Sequence, residues 1–322
     1  MALRTFAFVH AISEAQLRPF RAAFPGIEFL MPEDHGLPQG LERAEGAAIA
    51  WDSPPIDAIL DAAPALQWIH QRGAGIDRIA TPRLAASGLL LTNGSGNHAI
   101  NIAEHVMGLM LAFARRLPAL LETQRERRWK PPPVKSLFEL CGQTLVIVGF
   151  GAIGSALAQR ARAFGMTVIG VRRTAAGPSR EGAERVVAMS GLDAVLADAD
   201  HVVLAAPLTA ETHGLFSTAR FKVMKRGAYL CNVGRGAIVD HDALLAALRA
   251  GQLAGAGLDV TEPEPLPAES PLWTEPNVIV TAHSSGLTPH SFERYQALLL
   301  ENLGRFVRGE PLLNVVDVQR GY

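Results

Sequence analysis

The sequence predicts an α/β protein of two Rossmann-like, doubly wound parallel-sheet domains with an active-site cleft between them. Three observations predict it. Short apolar runs alternate with helical segments from the N-terminus onward, the pattern of βαβ units. A glycine fingerprint, Gly149-Phe150-Gly151-Ala152-Ile153-Gly154, stands between a β-rich run and a helical pattern. The length of 322 residues suits two domains at roughly 100–200 residues each.

The elements follow in order. Thr5–Val9 reads as a first strand, and Ser13 as the N-cap of a helix running to about Phe24, closed by Pro25-Gly26. Strand-like runs recur at Ile27–Met31, Ala47–Trp51, Leu66–His70 and Leu89–Thr92, with helical pieces at Ile56–Ala62 and Pro82–Ser87. Asn93-Gly94-Ser95-Gly96-Asn97 then breaks the chain before a long apolar helix, Ala99–Ala114. A second break, Ser284-Ser285-Gly286, precedes a last helix at about Ser291–Arg308. Two such hinges imply two crossings between domains. Residues 1–96 with 287–322 are expected to form the substrate-binding domain, and 97–286 the dinucleotide-binding domain.

Composition excludes several function classes. Apolar residues at 48% and charged residues at 19% argue for an ample core and against disorder. A formal net charge of −1 argues against nucleic acid or an anionic membrane as the main partner. Two cysteines, Cys141 and Cys231, rule out a disulfide scaffold and fit a reducing compartment. The N-terminus lacks the features of a secretory signal, and no apolar run reaches the roughly 18 residues of a membrane span. The expected location is the cytoplasm. His98 and His105 lie seven apart on one helix without a carboxylate at ligand spacing, so no metal site is expected. Glu104 on the same apolar helix needs a partner if it is buried.

The fingerprint carries the first chemistry. Gly149 permits a tight turn, Gly151 lets a pyrophosphate approach the backbone, and Gly154 lets helix and strand pack closely. Free amides and the helix dipole then face the phosphates. Alone, the motif is a weak signal and a tight turn that binds nothing is the other reading, but the strand–turn–helix context favours the dinucleotide. The next strand, Thr167–Val171, ends where NAD-binding proteins place an acid for the ribose hydroxyls. Here stand Arg172 and Arg173, a pair suited to a 2′-phosphate or, more plainly, to solvent. The expectation is NADP as the preferred cofactor and NAD as the alternative.

Three further strands, Tyr229–Val233, Gly257–Val260 and Asn277–Thr281, deliver Arg235, Glu264 and His283 toward one sheet edge. Ligands of open parallel sheets bind beyond the carboxyl ends of the strands. Arg235 suits the carboxylate and adjacent carbonyl of a 2-oxo acid, with its fixed fork of donors. His283 suits proton delivery to the carbonyl oxygen as hydride reaches carbon. Glu264 can orient the imidazole and favour its charged form. Singly, each residue has an ordinary surface or packing reading; their joint placement after a dinucleotide fingerprint argues for catalysis.

Over most of its length, and most strongly from about Leu145 to Asp317, the chain resembles the D-isomer-specific 2-hydroxyacid dehydrogenases, which include glyoxylate and hydroxypyruvate reductases. The stretches that carry the resemblance are the fingerprint, Pro207-Leu208-Thr209-Ala210-Glu211-Thr212, Asn232-Val233-Gly234-Arg235-Gly236-Ala237-Ile238-Val239-Asp240 and Leu258-Asp259-Val260-Thr261-Glu262-Pro263-Glu264-Pro265. The resemblance implies Arg235 as substrate anchor, Glu264 rather than Glu262 as the histidine's partner, and His283 as acid/base. It implies cofactor contacts at Ala152, Ile153, Pro207, Val233 and Asp259, the last against the nicotinamide carboxamide. In Gly73-Ala74-Gly75-Ile76-Asp77 it implies a carboxylate-binding turn, with the amides of Ala74 and Gly75 receiving the substrate; a plain glycine turn is the other reading. It also implies a homodimer built through the helix after Asn97. Ala282 departs from the family, which usually has proline before the histidine; this should alter local rigidity more than chemistry. The expected activity is hydride transfer between NADP(H) and a small 2-oxo acid or D-2-hydroxy acid. Two rivals on the same fold are a dinucleotide-sensing corepressor-like protein and a formate dehydrogenase-like enzyme. Arg235, Glu264 and His283 together favour the hydroxyacid reading over both.

Overall fold

The structure is a computed structural model and describes residues 3–34, 36–173 and 182–319. The chain divides into two units, Met1–Asn97 with Thr288–Tyr322, and His98–Leu287.

The first unit opens with β1 (Thr5–Phe8), buried along its whole length as a central parallel strand must be. α1 (Glu14–Ala23) starts at a full capping box, in which Ser13 accepts from the Gln16 amide and Gln16 reaches back to Ser13. β2 (Glu28–Leu30), β3 (Gly46–Ile49), α2 (Ile56–Ala62), β4 (Trp68–Gln71), α3 (Pro82–Ala86) and β5 (Leu90–Asn93) follow. The sheet is all parallel with order β2-β1-β3-β4-β5, a flavodoxin-like winding. The run expected to reach Trp51 stops at Ile49. The Ser53 hydroxyl accepts from the Ala50 amide at 2.9 Å and closes a turn, which leaves Trp51 79% exposed.

The second unit begins with α4 (Ala99–Ala114) and α5 (Leu117–Arg125). β6 (Thr144–Val148), α6 (Ala152–Ala163), β7 (Thr167–Arg172), β8 (Arg185–Ala188), α7 (Leu192–Leu196), β9 (His201–Leu204), α8 (Thr218–Val223), β10 (Ala228–Asn232), α9 (His241–Arg249), β11 (Leu253–Leu258) and β12 (Val278–Val280) complete it. Its parallel sheet has the order β12-β11-β10-β9-β6-β7-β8. Winding reverses between β6 and β9, so the switch point lies beside the loop that follows β6. α4 buries Ala103, Val106 and Met110 in one core cluster with Leu157, Ala158 and Ala161 of α6. Glu104 lies on the open side of α4, where it pairs with Arg160 at 2.8 Å, so it poses no buried-charge problem.

Two boundaries differ from expectation. α6 starts at Ala152, inside the fingerprint rather than after it, because Gly151 occupies the N-cap and the last fingerprint residues form the first turn. The strand expected at Gly257–Val260 begins at Leu253 and ends at Leu258, which leaves Asp259 just beyond the sheet.

The chain returns to the first unit in α10 (Pro289–Arg308), capped by Thr288 and stopped by Gly309 in the left-handed conformation. Tyr295, Leu299 and Leu303 on one face share a core cluster with Phe6, Phe8, Phe20 and Trp68. That apolar stripe explains why the C-terminal segment belongs with the N-terminal third.

The same unit buries His70 completely, with Nδ1 2.8 Å from the Thr92 hydroxyl and the ring stacked on Tyr295. Burial pulls its pKa down to about 3. The unfolded chain therefore takes up a proton near pH 6.5 that the folded chain refuses until about pH 3. Across that window stability should fall with falling pH, by up to about 1.4 kcal/mol per pH unit. Denaturant midpoints measured against pH should show the slope, and His70→Phe, which keeps a ring against Tyr295, should flatten it. His201 in the second unit, pulled down to about 4 by burial, adds its own share.

Candidate active site at the strand ends of the second unit

The loop after β6 is shaped around its glycines. Gly149 has φ +96°, and a Cβ there would lie 2.4 Å from the Ala206 amide nitrogen, so no other residue fits. A Cβ on Gly154 would meet the Gly149 carbonyl at 2.9 Å, which shows how closely α6 packs on its strand. Above Gly151 nothing lies within 4 Å. That open space, the first amides of α6 at Ala152 and Ile153, which donate to no group outside the helix among the described residues, and the helix dipole fit a dinucleotide pyrophosphate. Val233 is buried at the end of β10, its amide bonded to the Leu204 carbonyl at 3.0 Å. Pro207 is exposed after β9, and its carbonyl accepts from the buried Thr212 hydroxyl at 2.7 Å.

Arg172 closes β7 and folds onto the same loop. Its Nε donates to the Phe150 carbonyl at 2.5 Å, and the guanidinium lies over the Phe150 ring at 5.6 Å. Arg173 pairs with Glu211 at 3.4 Å. The segment at 174–181 that follows these arginines lies outside the described residues.

Arg235, Glu264 and His283 follow β10, β11 and β12, which are neighbours in the sheet. Arg235 Nη1 donates to its neighbour's carbonyl, Gly234, at 2.8 Å. Asn232, fully buried, pins the turn from both sides: Oδ1 accepts from the Gly234 amide at 3.1 Å, and Nδ2 donates to the Arg235 carbonyl at 2.8 Å. Glu264 divides its two oxygens. Oε1 accepts from the Thr261 amide at 3.1 Å, and Oε2 stands 3.0 Å from His283 Nδ1. A carboxylate on Nδ1 fixes that nitrogen as the donor and leaves Nε2 for other chemistry. Half of the His283 side chain is exposed. Glu264, not Glu262, makes this contact.

Two residues that sequence reasoning left without a role hold the set together. Thr261 anchors Glu264 through its amide. Gly236 lets the Arg235 loop and the Glu264 loop touch, since a Cβ there would lie 1.9 Å from the Thr261 carbonyl oxygen. Gly236→Ala should thus force the loops apart. The expected cost is about 1–3 kcal/mol of stability, as for other overpacking changes, together with reduced activity. A denaturant midpoint equal to that of the unchanged protein would show that the loops give way freely.

Asp259 is 2% exposed, and both carboxylate oxygens accept hydrogen bonds from residues 281–285. Ala282 and His283 have φ of 48° and 53°. Proline, with φ locked near −65°, cannot take the first of these. The departure at Ala282 therefore marks a different backbone path, not only a change in rigidity. His98 and His105 do not act as a pair: His98 Nδ1 bonds the Gly286 carbonyl at 2.9 Å, and His105 Nε2 the Thr281 hydroxyl at 2.9 Å.

In the first unit, the Gly73–Asp77 turn follows β4. The Ala74 carbonyl accepts from Asn93 Nδ2 at 2.7 Å, which holds the turn from behind. The amides of Ala74 and Gly75 donate to no group among the described residues. Among the described residues, no cluster of three or more histidine, cysteine or acidic side chains is placed to hold a metal ion. No described helix is long and apolar enough to cross a membrane.

The family model for the D-isomer specific 2-hydroxyacid dehydrogenase NAD binding domain matches residues 107–285. The chain is 35% identical over 280 residues to a glyoxylate reductase of Korarchaeum cryptofilum, covering 84% of this chain and 82% of that protein. Among solved structures it is similar to a D-isomer specific 2-hydroxyacid dehydrogenase from Xanthobacter autotrophicus, in complex with NADPH and MES. That likeness has a TM-score of 0.84 at 32% identity and covers all of both chains. It is also similar to an NADPH-dependent glyoxylate/hydroxypyruvate reductase from Sinorhizobium meliloti, in complex with NADP and sulfate. The TM-score is again 0.84, at 30% identity, covering 99% of this chain and 100% of that one. With the dinucleotide loop and the neighbouring strand ends already described, these matches mean that the chain belongs to the D-isomer-specific 2-hydroxyacid dehydrogenase family of oxidoreductases.

Proposed function

We propose that this chain is an NADP-preferring reductase of small 2-oxo acids, with glyoxylate or hydroxypyruvate as substrate. The observation that carries the reading is the His283–Glu264 pair, 3.0 Å apart on the strand ends beside Arg235. A nicotinamide dinucleotide, when bound, supplies the hydride for reduction. Arg235 grips the substrate carboxylate and polarises the carbonyl. His283 holds a proton on Nε2 for the carbonyl oxygen, and Glu264 keeps the ring turned so that Nε2 points outward. In the first unit, the Ala74 and Gly75 amides are proposed as substrate-binding donors for a carboxylate. Gly149, Gly151, Ala152, Ile153 and Gly154 receive the pyrophosphate, Pro207, Val233 and Asp259 line the rest of the dinucleotide site, and Arg172 and Arg173 favour a 2′-phosphate. The reading includes a homodimer built through α4, the helix after Asn97, on which Ile100 is 44% exposed.

The test is steady-state oxidation of NADPH and NADH across a panel of 2-oxo acids. Turnover of glyoxylate or hydroxypyruvate with NADPH is the expected result. No turnover of any 2-oxo acid with either cofactor would sink the reading.

A further inference from the structure

We propose that Thr281 and His105 are positioning residues for His283, acting through the buried carboxylate of Asp259. The inference rests on the reductase reading, in which His283 is the proton donor. Thr281 bonds both His105 and Asp259, while the His283 ring bonds Glu264.

The turn that carries His283 is strained. Ala282 and His283 are successive non-glycine residues in the left-handed region, at φ 48° and 53°. L-residues persist there only where their surroundings over-determine them. Asp259 supplies the largest share of that constraint, beside the Ser284 hydroxyl, which donates to the Thr281 carbonyl at 2.6 Å. The Asp259 main-chain carbonyl accepts from the His283 amide at 2.6 Å. Its Oδ1 accepts from the Thr281 hydroxyl at 2.7 Å, the Ser284 amide at 2.9 Å and the Ser285 amide at 3.2 Å. Its Oδ2 accepts from the Ser285 hydroxyl. One buried anion thus grips the chain on both sides of the strained pair, with charge-assisted bonds that exceed neutral ones in strength.

The grip extends to α4 through a chain whose direction is fixed. Thr281 has one hydroxyl proton, and it goes to Asp259. The Thr281 oxygen can then only accept from His105 Nε2, 2.9 Å away, so this nitrogen carries a hydrogen. The same nitrogen lies 3.9 Å from Asp259 Oδ1. His105 sits in the middle of α4, whose flanking residues Ala103 and Val106 are fully buried. A rigid helix therefore sets the lateral position of Thr281, Thr281 sets Asp259, and Asp259 sets the turn. The ring of His283 ends 3.0 Å from Glu264 as a result.

The test compares Thr281→Val, Thr281→Ser and His105→Phe with the unchanged enzyme in glyoxylate reduction by NADPH. Thr281→Val keeps the shape and removes the hydroxyl, and should lower kcat by about tenfold, because small displacements of a proton donor are costly. KM for NADPH should stay within about twofold, since the phosphate-binding amides are untouched. Thr281→Ser should restore kcat, and His105→Phe should lower it by about threefold. A Thr281→Val enzyme with unchanged kcat, even one that melts earlier, would overturn the inference and leave the hydroxyl a merely structural group. If Thr281→Val does not fold, unchanged kcat in His105→Phe overturns it equally. Failure of the unchanged enzyme to reduce any 2-oxo acid would defeat the reductase reading instead. The positioning would then be read from crystal structures of the unchanged protein and Thr281→Val. A His283 ring withdrawn from Glu264 supports it, and a pair still at the same separation refutes it.

Discussion

His283→Ala should lower kcat for 2-oxo acid reduction by about 10²–10⁴-fold, the range that a positioned acid contributes. The carbonyl oxygen gains negative charge as hydride arrives, and without an acid only water or Arg235 is at hand to meet it. Arg235 cannot donate a proton at neutral pH, since its guanidinium stays charged. NADPH binding should change little, because the amides opening α6 and the space above Gly151 are remote from this side chain in sequence and belong to a different loop. Single-turnover absorbance decay of bound NADPH, with a separate fluorescence titration of NADPH, keeps the two effects apart. A fall in kcat of less than about tenfold would show that water protonates the product without help, and the role given to His283 would be lost.

The fold class is legible in this sequence because its signals are local. Alternating apolar runs and capped helices announce parallel βα units, and Ser13 with Gln16 is a start signal readable four residues at a time. β8 is harder to see: it is a four-residue edge strand that opens on an exposed arginine, so its hydrophobic pattern is short and one-sided. The order of the strands is not readable from any run, yet it is what brings Arg235, Glu264 and His283 onto adjacent strand ends. Motifs name these three residues, but the helpers are hidden. The demand on Gly236 comes from a carbonyl 25 residues away, at Thr261, and no pattern within the Arg235 loop encodes it. Asp259 is similar. Its resemblance-based role looks toward the cofactor, while its carboxylate also carries the 281–285 turn across the register between β11 and β12. Charge balance in such a cluster depends on which donors happen to converge, and sequence spacing is silent about that.

Arg172→Asp should turn the cofactor preference over. The Arg172 guanidinium is seated on the dinucleotide loop itself, donating to the Phe150 carbonyl and lying over the Phe150 ring, where the adenosine ribose of a bound dinucleotide would come within reach. A charge-assisted bond from it to a 2′-phosphate is worth about 1.5–3 kcal/mol, or about tenfold to a little over a hundredfold in kcat/KM. An aspartate at the same place loses that bond and adds repulsion toward the phosphate, while its carboxylate can accept from the two ribose hydroxyls of NADH. kcat/KM with NADPH should therefore drop by about that factor or more, and the value with NADH should hold or rise. Arg173→Ala makes the useful contrast. Arg173 lies in an exposed pair with Glu211, at 43% and 66% exposure, and such pairs contribute little. Its loss should change the cofactor ratio by less than about threefold. If the unchanged enzyme oxidises NADH more efficiently than NADPH, the two arginines are surface charges and nothing more. If Arg172→Asp leaves the ratio where it was while Arg173→Ala moves it, the phosphate contact belongs to the residue that faces Glu211, and the seat on Phe150 serves only to close the glycine loop.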